Sequence, residues 1–141
     1  MRTCLMRIMS ERGVAAVEFA LVAPLLVLLL FATIEFGLVL FDKAVITNAS
    51  REGARFGSVH DPTGTVDNAA IKAVVNTYLG DHLINLGSSN TADVPDPQWD
   101  TPAPGFLTVT VNYTYDFLVL PNFSFIDTSI DLSGVTVMKV E

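Results

Sequence analysis

The sequence predicts an α+β protein in which a long N-terminal transmembrane helix continues into a stem, followed by a second helix packed on a small antiparallel sheet. Three observations predict it. An apolar run extends from Val14 to Phe41, interrupted only by Glu18, Thr33 and Glu35. A stripe at Ile71, Val74, Val75, Tyr78 and Leu79 has the i, i+3, i+4 spacing of a helix face. Residues 107–115 alternate apolar side chains with Thr and Asn, the period of a half-buried strand.

From Phe19 to Ile34 no residue is charged. A helix rises ~1.5 Å per residue, so the run crosses a hydrocarbon core of ~30 Å. A chain of 141 residues has too little material to surround so apolar a helix on every side, which argues against a buried helix of a soluble protein. A cleavable secretory signal fits poorly as well. Its apolar core is short and uncharged and ends in a small-x-small site, whereas this run is long, starts with Glu18, and ends in Phe31-Ala32-Thr33-Ile34-Glu35.

Charge sets the expected orientation. Residues 1–13 carry Arg2, Arg7 and Arg12 against Glu11, whereas residues 42–141 hold five Lys and Arg against twelve Asp and Glu. The positive-inside rule then places the N-terminus in the cytoplasm and residues 42–141 outside. That acidic exported part offers no general surface for nucleic acid. Cys4 is the sole cysteine and lies before the apolar run, so the exported part has no thiol to pair.

Three segments are expected: a cytoplasmic leader over 1–13, a transmembrane helix and amphipathic stem over 14–57, and a small α+β domain over 58–141 with a Pro-rich loop at 87–105. In the stem, Val45, Ile46, Ala49 and Phe56 share one side, and Lys43, Asn48, Arg51, Glu52 and Arg55 lie elsewhere. Gly57-Ser58 and the Asp61-Pro62-Thr63-Gly64 cluster end it. The second helix is expected to start at Asp67 as its cap and to stop near Gly80. Pro95, Pro97, Pro102 and Pro104 predict an irregular loop. One strand is expected over 107–115, then a connection from Pro121 to Ser129. The last strand runs from Ile130 to Val140, with Gly134 as a candidate bulge.

Catalytic chemistry finds little footing. His60 and His82 are isolated, and no phosphate loop or zinc-ligand spacing occurs. Asp93, Asp96 and Asp100 do not have the spacing of a calcium-binding helix–loop–helix motif. The Asn-x-Ser/Thr triplets at Asn48, Asn112 and Asn122 carry little information by themselves. The expectation is a non-enzymatic protein with no metal and no cofactor.

Two carboxylates in the apolar run need an explanation, because a carboxylate near the bilayer centre costs several kcal/mol unless it is neutralised, paired or near the interface. A cut between Gly13 and Val14 creates an α-amino group one helical turn from Glu18, able to pair with it in the same or a neighbouring chain. Glycine before the cut also lets the backbone enter a protease cleft without a side chain in the way. Pro24 removes the amide that would reach the Ala20 carbonyl and so favours a local bend.

Gly13 followed by Glu18 and Phe19 resembles the processing site of type IV prepilins and pseudopilins. The segments Ala16 to Leu26, Ile34-Glu35-Phe36-Gly37 and Thr47 to Arg55 resemble the TadE-like family of the tight-adherence (Flp) pilus assembly system. The resemblance covers Gly13 to about Arg55. It implies a pilin-like fold and a minor pilin-like membrane protein, cut by a prepilin peptidase and needed to assemble a thin adhesive type IVb pilus. Gly13, Val14, Glu18 and Phe19 form the implied processing site; Phe19 stands where major pilins of this system usually have tyrosine. Its implied partners are the peptidase, other pilus assembly proteins and pilin-like subunits, and the lipid bilayer.

The residues suggest further assembly contacts at Glu18, Pro24, Glu35, Gly37, Arg51, Glu52, Gly53 and Arg55. Gly53 and Ala54 leave room for another helix to approach, and Glu52 and Arg55 are spaced to pair. Of the two membrane carboxylates, Glu18 is expected to matter more for assembly than Glu35. The alternative is an unprocessed single-pass anchor whose exported domain binds protein in a secretion or envelope complex. A glycine five residues before Glu18 separates the two readings, since an uncut anchor has no use for it.

Overall fold

The computed structural model describes residues 2–60, 67–84, 91–100, 105–117 and 129–140, with side chains described from Gly13 onward except that of His60. The expected turn at 61–64, most of the 121–129 connection and parts of the 87–105 loop lie outside the described residues. In chain order the elements are α1 (Arg2–His60), α2 (Asn68–His82), β1 (Gln98–Trp99), β2 (Phe106–Asp116) and β3 (Ser129–Lys139). The chain divides into two compact units, residues 1–36 and 37–141.

The first unit is helical throughout its described part. The helix passes through Pro24, whose ring supplies no amide for the Ala20 carbonyl. Side chains from Val14 to Ile34 are almost all exposed, with only Ala23 and Ala32 half-buried. One helix of the described chain is long and apolar enough to cross a membrane, and its most apolar stretch buries nothing within the protein. Thr33, the polar residue within the run, donates its hydroxyl to the Leu29 carbonyl at 2.8 Å, so the helix itself satisfies it.

The second unit is a three-stranded antiparallel sheet in the order β1-β2-β3, with residues 37–60 of α1 and all of α2 supplying the rest of its core. The central strand β2 buries Leu107, Val109, Val111, Tyr113 and Tyr115, as their alternation predicts. Against them stand Ile46, Ala49 and Ala54 of α1 and Ile71, Val75 and Leu79 of α2. Six of the larger apolar residues, Ile46, Ile71, Val75, Leu107, Val109 and Val111, are fully enclosed. At roughly 1.5–3 kcal/mol for each such side chain removed from water, this cluster is the main source of the unit's stability.

Close backbone approach depends on glycines in α1. A β-carbon on Gly53 would collide with Val75, and one on Gly57 with Leu107 and Ile71. The small-residue face of the stem is therefore occupied by this chain's own second helix and central strand.

α2 begins at Asp67, whose carboxylate accepts the Ala69 amide at 3.0 Å. The helix does not stop at Gly80 but runs to His82, and the Leu83 amide still donates to the Leu79 carbonyl at 2.8 Å. Nothing crowds Gly80, and it keeps a helical backbone because Leu79 and Leu83 both pack into the core cluster beyond it. Ile71, Val75 and Leu79 are buried, whereas Val74 and Tyr78 lie half-buried at the edge of the stripe.

β2 and β3 pair in unbroken register from Phe106 with Lys139 to Asp116 with Ser129. No bulge occurs at Gly134, which faces Val111 in that ladder. A β-carbon there would come within 2.8 Å of the Ile46 carbonyl oxygen, so glycine serves the close passage of α1 over the strand. Ser50 reinforces that crossing by exchanging a 2.7 Å hydrogen bond with the Thr136 hydroxyl, and the Lys43 ammonium donates to the Ser133 carbonyl.

A third strand, β1, forms inside the expected loop. Gln98 and Trp99 pair with Thr108 and Leu107, and an isolated bridge joins Asp93 to Asn112 through two 2.8 Å bonds. The Trp99 indole donates to the Asn68 side chain at 3.1 Å, and Lys72 meets Asp96 at 2.6 Å. The loop is thus tied to both the central strand and α2.

Candidate functional site

The expected processing site lies on the exposed part of α1. Gly13 has nothing within 4 Å of where a β-carbon would stand, and Val14, Glu18 and Phe19 are exposed, Phe19 by 73%. Residues on both sides of the Gly13–Val14 bond are helical. A protease that reads extended backbone must therefore unwind α1 locally, and glycine lowers that cost by about 1 kcal/mol relative to alanine.

The expected assembly residues separate into different environments. Glu18 and Pro24 belong to the first unit, where Glu18 is exposed. Glu35 is only 2% exposed. Gly37 opens the second unit without any crowding neighbour. Gly53 is committed to packing within the second unit. Arg51, Glu52 and Arg55 are exposed, with the Arg51 guanidinium donating to the Asn48 side chain at 3.5 Å. Among the described residues, no ion pair joins Glu52 to Arg55.

Two features escape a reading of the sequence. The first is Asp42, which is fully buried in α1, in phase with Ile46, Ala49 and Gly53. Its Oδ1 accepts the Ile84 amide at 3.3 Å, while Oδ2 has no hydrogen-bond partner among the described residues. Burial pushes the Asp42 carboxyl above the usual carboxylate range, and the Ile84 amide opposes that rise. The spacing 42, 46, 49, 53 carries the signal, since it extends the apolar stripe back to an acid.

The second is an open groove of ≈ 360 Å³ between α1 and α2. Ala73, Val74 and Thr77 line it with the ring of Tyr78, while Glu52 and Asp81 bring carboxylates from the two helices. His82 stacks on Tyr78 with ring centroids 4.4 Å apart and its Nδ1 2.9 Å from the Tyr78 carbonyl. Among the described residues, no group of three or more His, Cys, Asp or Glu is arranged to hold a metal ion.

These features define a class of protein: one apolar N-terminal helix of the kind that anchors a chain in a membrane, leading into a small α+β unit. Residues 13–55 match the family described as TadE-like protein. The match starts at Gly13 itself and ends at Arg55, covering the apolar run and most of the stem. No curated protein and no solved structure matches the chain significantly. The family match suggests a protein associated with the Tad pilus and held by a membrane-spanning N-terminal helix.

Proposed function

We propose that this chain is a minor pilin-like protein, a pseudopilin, needed to assemble a thin type IVb pilus of the tight-adherence system. Its role is structural, carried by helix packing and protein contacts, with no catalytic step. A prepilin peptidase on the cytoplasmic face cuts between Gly13 and Val14. The new α-amino group of Val14 then lies one helical turn from Glu18, where the pair lowers the cost of a carboxylate at the membrane. The three arginines before Gly13 keep the N-terminus in the cytoplasm and leave the acidic α+β unit outside the inner membrane.

The observation that carries this reading is the family match beginning at Gly13, five residues before Glu18. Intact mass and N-terminal sequencing of the full chain, expressed with and without a prepilin peptidase, test it. A mature chain starting at Val14 only when the peptidase is present is the expected result. An intact Met1 in both cultures overturns processing and leaves an uncut single-pass anchor.

A further inference from the structure

The buried face of α1 in the second unit is marked by Ile46, Ala49 and Gly53. At 3.6 residues per turn, Arg51 and Arg55 fall on the opposite, exposed side, one turn apart, and Glu52 falls between them and α2. An arginine ridge thus runs beside the acidic groove formed by Glu52, Val74, Thr77, Tyr78 and Asp81.

We propose that this groove receives the Arg51–Arg55 ridge of a second copy of the chain. Charge complementarity favours this occupant. Arg51 and Arg55 are four residues apart, about 6 Å along the helix axis, and the groove includes an acidic residue from each of its walls. Arginine also matches the lining between those carboxylates. Its methylene stem lies on apolar surface, and its planar head suits carboxylates. Among the described residues, no ion pair joins Arg51, Glu52, Arg55 or Asp81 to one another, so these charges are not matched among those residues.

Ridge and groove lie side by side, so the contact is met either reciprocally, each ridge in the other copy's groove, or head-to-tail, in which case it grows into an open array unless the rotation closes it. The proposal goes beyond processing at Gly13, and its test does not depend on cleavage.

The test uses the full chain in membrane extracts, with two differently tagged copies and co-purification of one by the other. One variant carries Arg51→Glu with Arg55→Glu, the other Glu52→Arg with Asp81→Arg. All four residues are exposed, so the thermal melting of each variant is expected to follow the native chain. Alone, each variant sets like charges against each other and should lower co-purification about tenfold. Mixed, the two variants restore opposite charges at every contact and should recover the native yield to within about twofold.

Native copies that do not co-purify overturn the proposal and leave the groove to a different basic partner. Unchanged yield in either variant also overturns it, as does loss that mixing fails to restore. If a charge-reversed chain melts early, Arg51→Gln with Arg55→Gln replaces it, and an unaltered yield in that chain overturns the contact.

Discussion

The Ile84 amide donates a 3.3 Å hydrogen bond to Oδ1 of Asp42, joining the chain just past the end of α2 to a carboxylate buried in α1. One bond to one oxygen leaves the charged form poorly satisfied, which is why burial raises the acid's affinity for a proton.

A raised carboxyl means that the folded chain binds the proton more tightly than the unfolded one. This contribution to stability is full below the ordinary aspartate range near pH ~3.9 and is lost as pH rises through the folded value. Asp42→Asn keeps the acceptor for Ile84 and removes the charge. It should raise stability at neutral pH by about 1 kcal/mol and flatten the pH dependence above pH ~4. Thermal melting of the detergent-solubilised chain across pH checks both outcomes; a loss of stability at neutral pH on Asp42→Asn would show that the carboxylate is well paired.

Gly53→Val forces two methyl groups into the space held by Val75. Overpacking outweighs the better helix propensity of valine relative to glycine, and a loss of about 2 kcal/mol is expected. Combining the change with Val75→Ala should recover part of that loss, a coupling that a double-mutant melting series measures.

Gly134→Ala presses a methyl group on the Ile46 carbonyl, a backbone atom that moves only if α1 moves. The expected cost is about 2 kcal/mol, and hydrogen exchange should report it as weakened protection at position 134 and its neighbours in β3.

Lys72 and Asp96 meet at 2.6 Å, yet Asp96 is largely exposed. Lys72→Ala should change stability by less than about 1 kcal/mol in chemical denaturation, and high salt should erase the difference.

Glu18→Gln should abolish pilus formation in a complementation assay, whereas Glu35→Gln should reduce it less. Glu18 is exposed on the apolar helix and open to a neighbouring chain, whereas Glu35 is buried. The reverse ranking in pilus yield would remove Glu18 from its proposed role.

Much of this architecture is legible in the sequence because each element has one dominant period. Leu107 to Tyr115 read as a strand by strict alternation, and Asp67 reads as a cap because its short carboxylate reaches an unpaired amide two residues on. β1 is hidden because two residues among prolines have no period; they become a strand only by pairing with Thr108 and Leu107. Gly134 reads as a candidate bulge because sequence cannot distinguish a glycine that bends a strand from one that admits a neighbouring backbone. Gly53 suggests a surface for another helix, and the structure fills that surface from within the chain. Asp42 escapes notice because a charge at the end of an apolar run looks like a solvated boundary, and only packing reveals it as enclosed.

The glycine stripe of α1 also imposes a timetable on biogenesis. Gly53 and Gly57 are synthesised well before the side chains of Ile71, Val75, Leu107 and Val109 that cover them. While the chain is being made, that wall of the domain waits uncovered, a ready platform for a chaperone or for the wrong neighbour. A chain shortened to begin at Asp67 would never receive its wall. It would leave Ile71, Val75 and Val109 facing water and should be recovered as aggregate.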